Sequence, residues 1–146
     1  VWATAGGAVD PSGNVYVATG NGQSSPSSGT DYSDAVVKIT PSLIVGATAP
    51  ADYFQPIEWR QDNNADADIG SDAPVLLPNN AQLFIIGKQH NAFLLNTSAL
   101  GGGGSNNTPA ARLDNACAGE AFGQNAVIGH SAYIACSTGL QQVHLP

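Results

Sequence analysis

The acidic segment at residues 62–68 has the residue types and spacing best suited to chemistry in this chain. It reads DNNADAD, with side-chain oxygens at every other position: Asp62, Asn64, Asp66 and Asp68. A loop that wraps a hard cation such as calcium uses oxygen ligands in this way. The segment is not an EF-hand, because Ala67 replaces the turn glycine and Ala73 replaces the bidentate Glu of that motif. We predict a calcium site at these four residues; the alternative is a solvated Asx-rich turn before a strand.

Asn21 is a second candidate, and it lies between Gly20 and Gly22 just after a predicted strand. The two glycines permit positive φ and close approach of a ligand, and Asn21 offers an amide oxygen as an acceptor. The alternative is a plain turn, which these three residues taken alone favour. In contrast, Lys88, Gln89 and His90 lie in a predicted tight turn where polar residues are expected, so no catalytic role is assigned to them.

Cys117 and Cys136 are the only two cysteines, and they are 19 residues apart. This spacing matches neither a Cys-x-x-Cys redox pair nor a zinc-ligand set. We predict a structural disulfide, which would stabilise the fold by about 3 kcal/mol; the alternative is two buried free thiols. A disulfide, together with a charged content of only 10% and abundant Gly, favours a secreted or periplasmic protein.

The charge balance argues against nucleic acid as a partner. The chain has 11 acidic and 4 basic residues, so its net charge is −7, and it has no Lys/Arg cluster to follow a phosphate backbone. No apolar run approaches the roughly 20 residues that span a bilayer, so the sequence predicts no membrane span.

The elements that must position these residues are short strands. Residues 75–77, 83–86 and 92–95 are apolar runs separated by turn-forming residues, which is typical of strands rather than helices. Their unbroken apolarity indicates that both faces are covered. Antiparallel strands buried on both faces imply a sheet stacked between other sheets, as in a propeller.

The same unit recurs along the chain, with Tyr16, Leu83 and Tyr133 in equivalent places 67 and 50 residues apart. A period near 50 residues made of short strands is typical of propeller blades. We predict an all-β fold, a partial β-propeller of about three four-stranded antiparallel blades, with units near residues 1–60, 61–110 and 111–146. The residues predicted to be buried between blades are Val15, Val17, Leu83, Ile85, Ile86 and Ile134.

Three blades do not close a propeller, which usually has about 4–8. Residues 1–146 are therefore expected to be one segment of a larger propeller. The expected partners are the remainder of that propeller or other copies of this chain, because open blade faces and strand edges favour association.

Two motifs carry a resemblance to the quinoprotein-like propeller family. Residues 15–21, VYVATGN, resemble the strand that ends in Gly-Asn in quinoprotein alcohol dehydrogenases, and YFQPIEW at 53–59 with DADIG at 66–70 resembles their catalytic segment. The resemblance implies pyrroloquinoline quinone and calcium as cofactors, with Asn21 as a calcium ligand. It also implies that Asp66 or Asp68 is the base that takes the proton from the alcohol.

Two functional hypotheses follow. In the first, the chain is a secreted segment of a quinone- and calcium-dependent alcohol or sugar dehydrogenase. In the second, it is a non-enzymatic propeller scaffold for protein or glycan binding or for assembly, since many folds of this kind carry unrelated functions.

Overall fold

The computed structural model describes residues 6–22, 30–42, 52–101 and 106–146. The predicted strand approach at residues 1–2, most of the Ser-rich loop after Asn21 and residues 102–104 of the glycine tract lie outside the described residues. The first sheet is an antiparallel meander of four strands in chain order. Its strands are β1 (Ala8–Val9), β2 (Val15–Ala18), β3 (Val36–Ile39) and β4 (Asp52–Phe54).

A connecting segment with its own short elements leads to the middle sheet. It contains helix α1 (Trp59–Ala65), a 3-10 turn (Ile69–Ser71) and strand β5 (Asp72–Ala73). The middle sheet is a second four-stranded antiparallel meander. Its strands are β6 (Val75–Leu76), β7 (Gln82–Ile86), β8 (Ala92–Asn96) and β9 (Ala111–Leu113).

The third sheet follows a short parallel pairing between β5 and β10 (Gly123–Gln124). It is an antiparallel meander of β11 (Ala126–Ile128), β12 (Ser131–Cys136) and β13 (Gly139–His144). The predicted β class is confirmed in so far as the described chain is mostly strand, in several antiparallel sheets, with one short α-helix and one 3-10 turn. The third meander has three strands among the described residues, where four were predicted.

The middle sheet is buried on both faces, as its unbroken apolar strands predicted. Leu83 and Ile85 pack with Tyr16 and other side chains of the first sheet in one hydrophobic cluster. Phe84 and Ile86 belong to a second cluster that includes Ala132 and Ile134 of the third sheet. Successive residues of a strand point to opposite faces, so β7 supplies both clusters.

Strand β2 faces the core with the opposite set of side chains from the one predicted. Tyr16 and Ala18 are fully buried, whereas Val15 and Val17 are only half-buried on the outer face. The Tyr16 hydroxyl donates a hydrogen bond to Asp10 Oδ2 at 2.9 Å, so the phenol has a polar partner at its tip while its ring is buried. The predictions for Leu83, Ile85, Ile86 and Ile134 are confirmed, since all four are 0% exposed.

Helix α1 occupies part of the acidic segment that the sequence predicted to be a loop. The helix buries Trp59 and Asn63, and the Asn63 amide donates to the Ser33 hydroxyl at 2.8 Å. It ends at Asp66, which has left-handed backbone angles and donates its N–H to the Asp62 carbonyl. Because the burial of Trp59 and the contact of Asn63 with Ser33 are tertiary, the two-turn helix has little signal in its own sequence. No helix in the described ranges is long and apolar enough to cross a membrane.

Candidate functional site

The connections at one end of the three sheets meet and form what we call the polar rim, made of residues 19–22, 30–35, 55–74, 87–91 and 114–125. In an antiparallel meander, the turn between the second and third strands and the segment that leaves the fourth strand lie at the same end. The Lys88 N–H donates to the Asp68 carbonyl at 3.2 Å, and the Ser71 hydroxyl donates to the Ala121 carbonyl at 2.9 Å. These contacts join the connections of all the sheets.

Asn21 and Asp66 come together in the polar rim, although 45 residues separate them. The Asn21 amide donates to Asp66 Oδ1 at 2.9 Å and also lies 3.4 Å from the Asn63 carbonyl oxygen. Asn21 reaches this position because it follows β2, whereas Asp66 ends α1. Two residues that the sequence predicted for one site are therefore in direct contact.

Lys88 holds Asp66 and Asp68 together. Its ammonium lies 2.9 Å from Asp68 Oδ2 and 3.2 Å from Asp66 Oδ2, and it donates to the Asp66 carbonyl at 3.1 Å. Burial alone would lower the pKa of Lys88, but the hydrogen bonds and charges of Asp68 and Asp66 outweigh it and raise that pKa above its ordinary value. Asp68 is buried, and its Oδ1 has no hydrogen-bond partner among the described residues. We call Asn21, Asp66, Asp68 and Lys88 the rim cluster.

A second pair of carboxyl groups, Asp34 and Asp62, lies deeper in the rim. Asp34 is 0% exposed, and its Oδ1 accepts a hydrogen bond from the Ile69 N–H at 2.5 Å. Burial, with the nearby charges of Asp62 and Asp68, raises the pKa of Asp34 to about 8. Burial and the Glu58 charge raise the pKa of Asp62 to about 6. Of the two carboxyl groups, Asp34 is therefore the one that keeps its proton to the higher pH.

The four predicted ligands of the acidic segment are divided between different surroundings. Asp66 and Asp68 share Lys88, Asp62 is paired with Asp34, and Asn64 is exposed on α1. Within the described ranges, no group of three or more His, Cys, Asp or Glu side chains is placed to hold a metal ion. Asp66 and Asp68 converge on the Lys88 ammonium, and Asn21 reaches Asp66 through its amide nitrogen.

The predicted disulfide is present between Cys117 and Cys136, with a Cα–Cα distance of 5.9 Å. It ties the last connection of the rim to the end of β12. The backbone reinforces the same junction, because the Ser137 N–H donates to the Glu120 carbonyl at 2.8 Å. A disulfide is compatible with a secreted or periplasmic protein.

Sequence reasoning missed two functional candidates, Lys88 and Asp34. Lys88 reads as an ordinary polar turn residue, and only the approach of the 87–91 turn to the acidic segment gives it a role. Asp34 lies two residues before strand β3, and a charged residue close to a buried strand was the one available signal.

No protein-family model matches this chain, and no curated protein matches it significantly. The resemblance to quinoprotein-like propellers therefore depends on the sequence motifs at residues 15–21 and 53–70.

Proposed function

We propose that this chain is a segment of a secreted quinoprotein-like propeller and that its rim cluster binds calcium. The observation that carries this proposal is the contact between Asn21 and Asp66, with Asp68 joined to Asp66 through Lys88. The family resemblance implied that Asn21 is a calcium ligand and that Asp66 or Asp68 is the catalytic base. Three consecutive antiparallel meanders stacked face to face further support a propeller.

The donor atoms of the rim cluster suit a hard cation. Carboxylate and amide oxygens are calcium's usual protein ligands, and the buried Asp68 Oδ1 has no described partner to satisfy it. Calcium takes about 6–8 oxygen ligands, so water or other residues would complete the shell around Asn21, Asp66 and Asp68. Lys88 now neutralises one of the two carboxylates and would compete with the ion.

The described residues do not fit pyrroloquinoline quinone by themselves. This quinone is an anionic polycarboxylate, whereas Lys88 is the cluster's only cation and is already bound by Asp66 and Asp68. Asp34 and Asp62 add further acidic groups to the same rim. The dehydrogenase role proposed for the parent protein therefore requires cations from outside the described residues.

Calorimetric titration of the full chain with calcium tests the proposal. Lys88→Met should tighten calcium binding by about tenfold or more, because it removes a competing charge close to both carboxylates. Asp68→Asn in that background should weaken it by a similar factor. Asp114→Asn, an equal charge change at an exposed residue outside the cluster, is the matched control.

Failure of the Lys88→Met variant to bind calcium at millimolar concentration would refute the calcium site. The quinone is tested separately, by the absorbance spectrum of the parent protein after addition of pyrroloquinoline quinone and calcium. If the protein binds calcium but its spectrum shows no bound quinone, the proposed calcium site stands and the proposed dehydrogenase role is excluded.

The second candidate function is a non-enzymatic scaffold for protein or glycan binding or for assembly. The ion pairs that Lys88 makes with Asp66 and Asp68 favour it. A carboxylate pair bridged by an ammonium is an internally satisfied ion-pair cluster, which can fix the three rim connections without any ligand. On this reading, Lys88→Met destabilises the fold and does not create a calcium site. Light scattering addresses assembly, since the proposed partners are the rest of the propeller or other copies of this chain.

A further inference from the structure

The stack of three sheets ends in two outer faces, one on the first sheet and one on the third. Neither hydrophobic cluster includes a side chain from these faces. The outer face of the third sheet carries Tyr133 and Leu140, with the polar Gln142 and His144 beside them on β13. The paired positions on the outer face of the first sheet are all aliphatic or aromatic: Val9, Val15, Val17, Val37, Ile39 and Tyr53.

The outer face of the third sheet repeats the side that, in the first two sheets, packs on the next sheet. Tyr16 in β2 and Phe84 in β7 each face the following sheet and are buried in a hydrophobic cluster. Tyr133 has the equivalent position in β12, since all three aromatic residues are paired with the first strand of their own sheet. The sequence predicted Leu83 for this place in the middle sheet, but Leu83 faces the preceding sheet. Tyr133 is only half-buried, because no following sheet packs on it in the described ranges.

The most exposed apolar residues of the two outer faces have equivalents that lie between sheets. Leu140 is 72% exposed on the third sheet, and Val9 is 60% exposed on the first. Strand register relates each of them to residues that are buried in, or pack against, the two hydrophobic clusters: Val36 and Ala92 for Leu140, and Leu76 and Val127 for Val9. The end faces therefore have the two complementary sides of the contact that joins successive sheets inside the chain.

We propose that the outer face of the third sheet packs on the outer face of the first sheet of a second copy of this chain. The new contact would continue the stack, with Tyr133 in the place that Tyr16 and Phe84 have within it. It joins two different surfaces, so the association is head to tail. Two copies supply six sheets, three from each, which falls within the roughly 4–8 of closed propellers. The inference rests on the propeller stack proposed above and not on its calcium site.

Sedimentation analysis of the full chain and of two lysine variants tests the proposal. The wild type should self-associate as its concentration rises. Val9→Lys and Leu140→Lys each place on one outer face an ammonium that the contact would bury, so each variant alone should associate at least about a hundredfold more weakly. Both replaced residues are exposed, so both variants are expected to fold. Ile57→Lys, at a residue 71% exposed in the polar rim, is the matched control and should associate as the wild type does.

A mixture of the two variants distinguishes head-to-tail contact from contact between identical faces. Val9→Lys keeps its third-sheet face and Leu140→Lys keeps its first-sheet face, so the equimolar mixture should form a complex that neither variant forms alone. A wild type that stays monomeric at millimolar concentration would overturn the proposal. So would a mixture that does not associate, or one variant that associates as the wild type does. If the chain stays monomeric but binds calcium as proposed, the head-to-tail contact fails and the calcium site stands.

Discussion

Replacement of Asp34 by Asn is expected to stabilise the fold at neutral pH, although Asp34 makes a native hydrogen bond. An aspartate in the unfolded chain ionises near pH 3.9, whereas the pKa of Asp34 in the fold is about 8. Between these values the folded chain keeps a proton that the unfolded chain releases. The free energy of unfolding therefore falls as the pH rises, and the loss is complete above about pH 8.

The size of this effect follows from the pKa difference. Each pH unit between the two pKa values lowers the free energy of unfolding by about 1.4 kcal/mol, so the loss by pH 7 is at most roughly 4 kcal/mol. An Asn side chain does not ionise, and its amide oxygen can still accept the hydrogen bond from the Ile69 N–H. The variant should thus be more stable than the wild type by up to about 4 kcal/mol at pH 7.

Urea unfolding followed by tryptophan fluorescence at pH 5, 6, 7 and 8 measures this difference. The stability gain of Asp34→Asn should grow with pH and level off near pH 8. Asp114→Asn makes the same chemical change at an exposed carboxylate and should shift stability by no more than about 0.5 kcal/mol. A gain that does not change with pH would show that the pKa of Asp34 is not raised in the fold, and a variant less stable than the wild type at pH 8 would refute the predicted stabilisation.

Three further predictions concern the core, the disulfide and a close backbone contact. Ile85→Ala should lower the free energy of unfolding by about 2–5 kcal/mol, whereas Ile128→Ala, at a residue 69% exposed, should change it by less than about 0.5 kcal/mol; urea unfolding compares them. Reduction of the Cys117–Cys136 disulfide should lower the free energy of unfolding by about 3 kcal/mol, and a Cys117→Ser/Cys136→Ser variant should match the reduced wild type in urea unfolding. Gly70→Ala should lower the melting temperature, because the added Cβ would lie 2.5 Å from the backbone carbonyl of Thr19; an unchanged calorimetric transition would contradict this contact.

The sequence predicts the stacking of the sheets because burial on both faces leaves a local signal. Residues 83–86 have no polar position, and the structure places Leu83 and Phe84 in different hydrophobic clusters. The inward face of β2 was predicted wrongly because hydrophobicity favoured Val15 and Val17 over Tyr16. Tyr16 packs inward with its hydroxyl hydrogen-bonded to Asp10, a partner that no alternation pattern records.

The candidate site was only partly predictable for a similar reason. The family resemblance proposed Asn21 and Asp66 for one site, and in the structure the Asn21 amide donates a hydrogen bond to Asp66. Asp34 and Asp62 are 28 positions apart, and only the folding of the β2–β3 connection against α1 brings them together. Burial in the folded chain raises the pKa values of both carboxyl groups, and the spacing of the two residues in the sequence does not indicate this burial.

The middle sheet determines which parts of this protein can unfold separately. Each hydrophobic cluster uses one of its faces, so the first or third sheet can detach while the opposite cluster stays intact. Detachment of the middle sheet would disrupt both clusters at once, which makes the amides of β7 and β8 the slowest to exchange with solvent. A stack of this kind also grows only at its ends, and each added sheet converts the previous end into an interior layer that must be apolar on both faces.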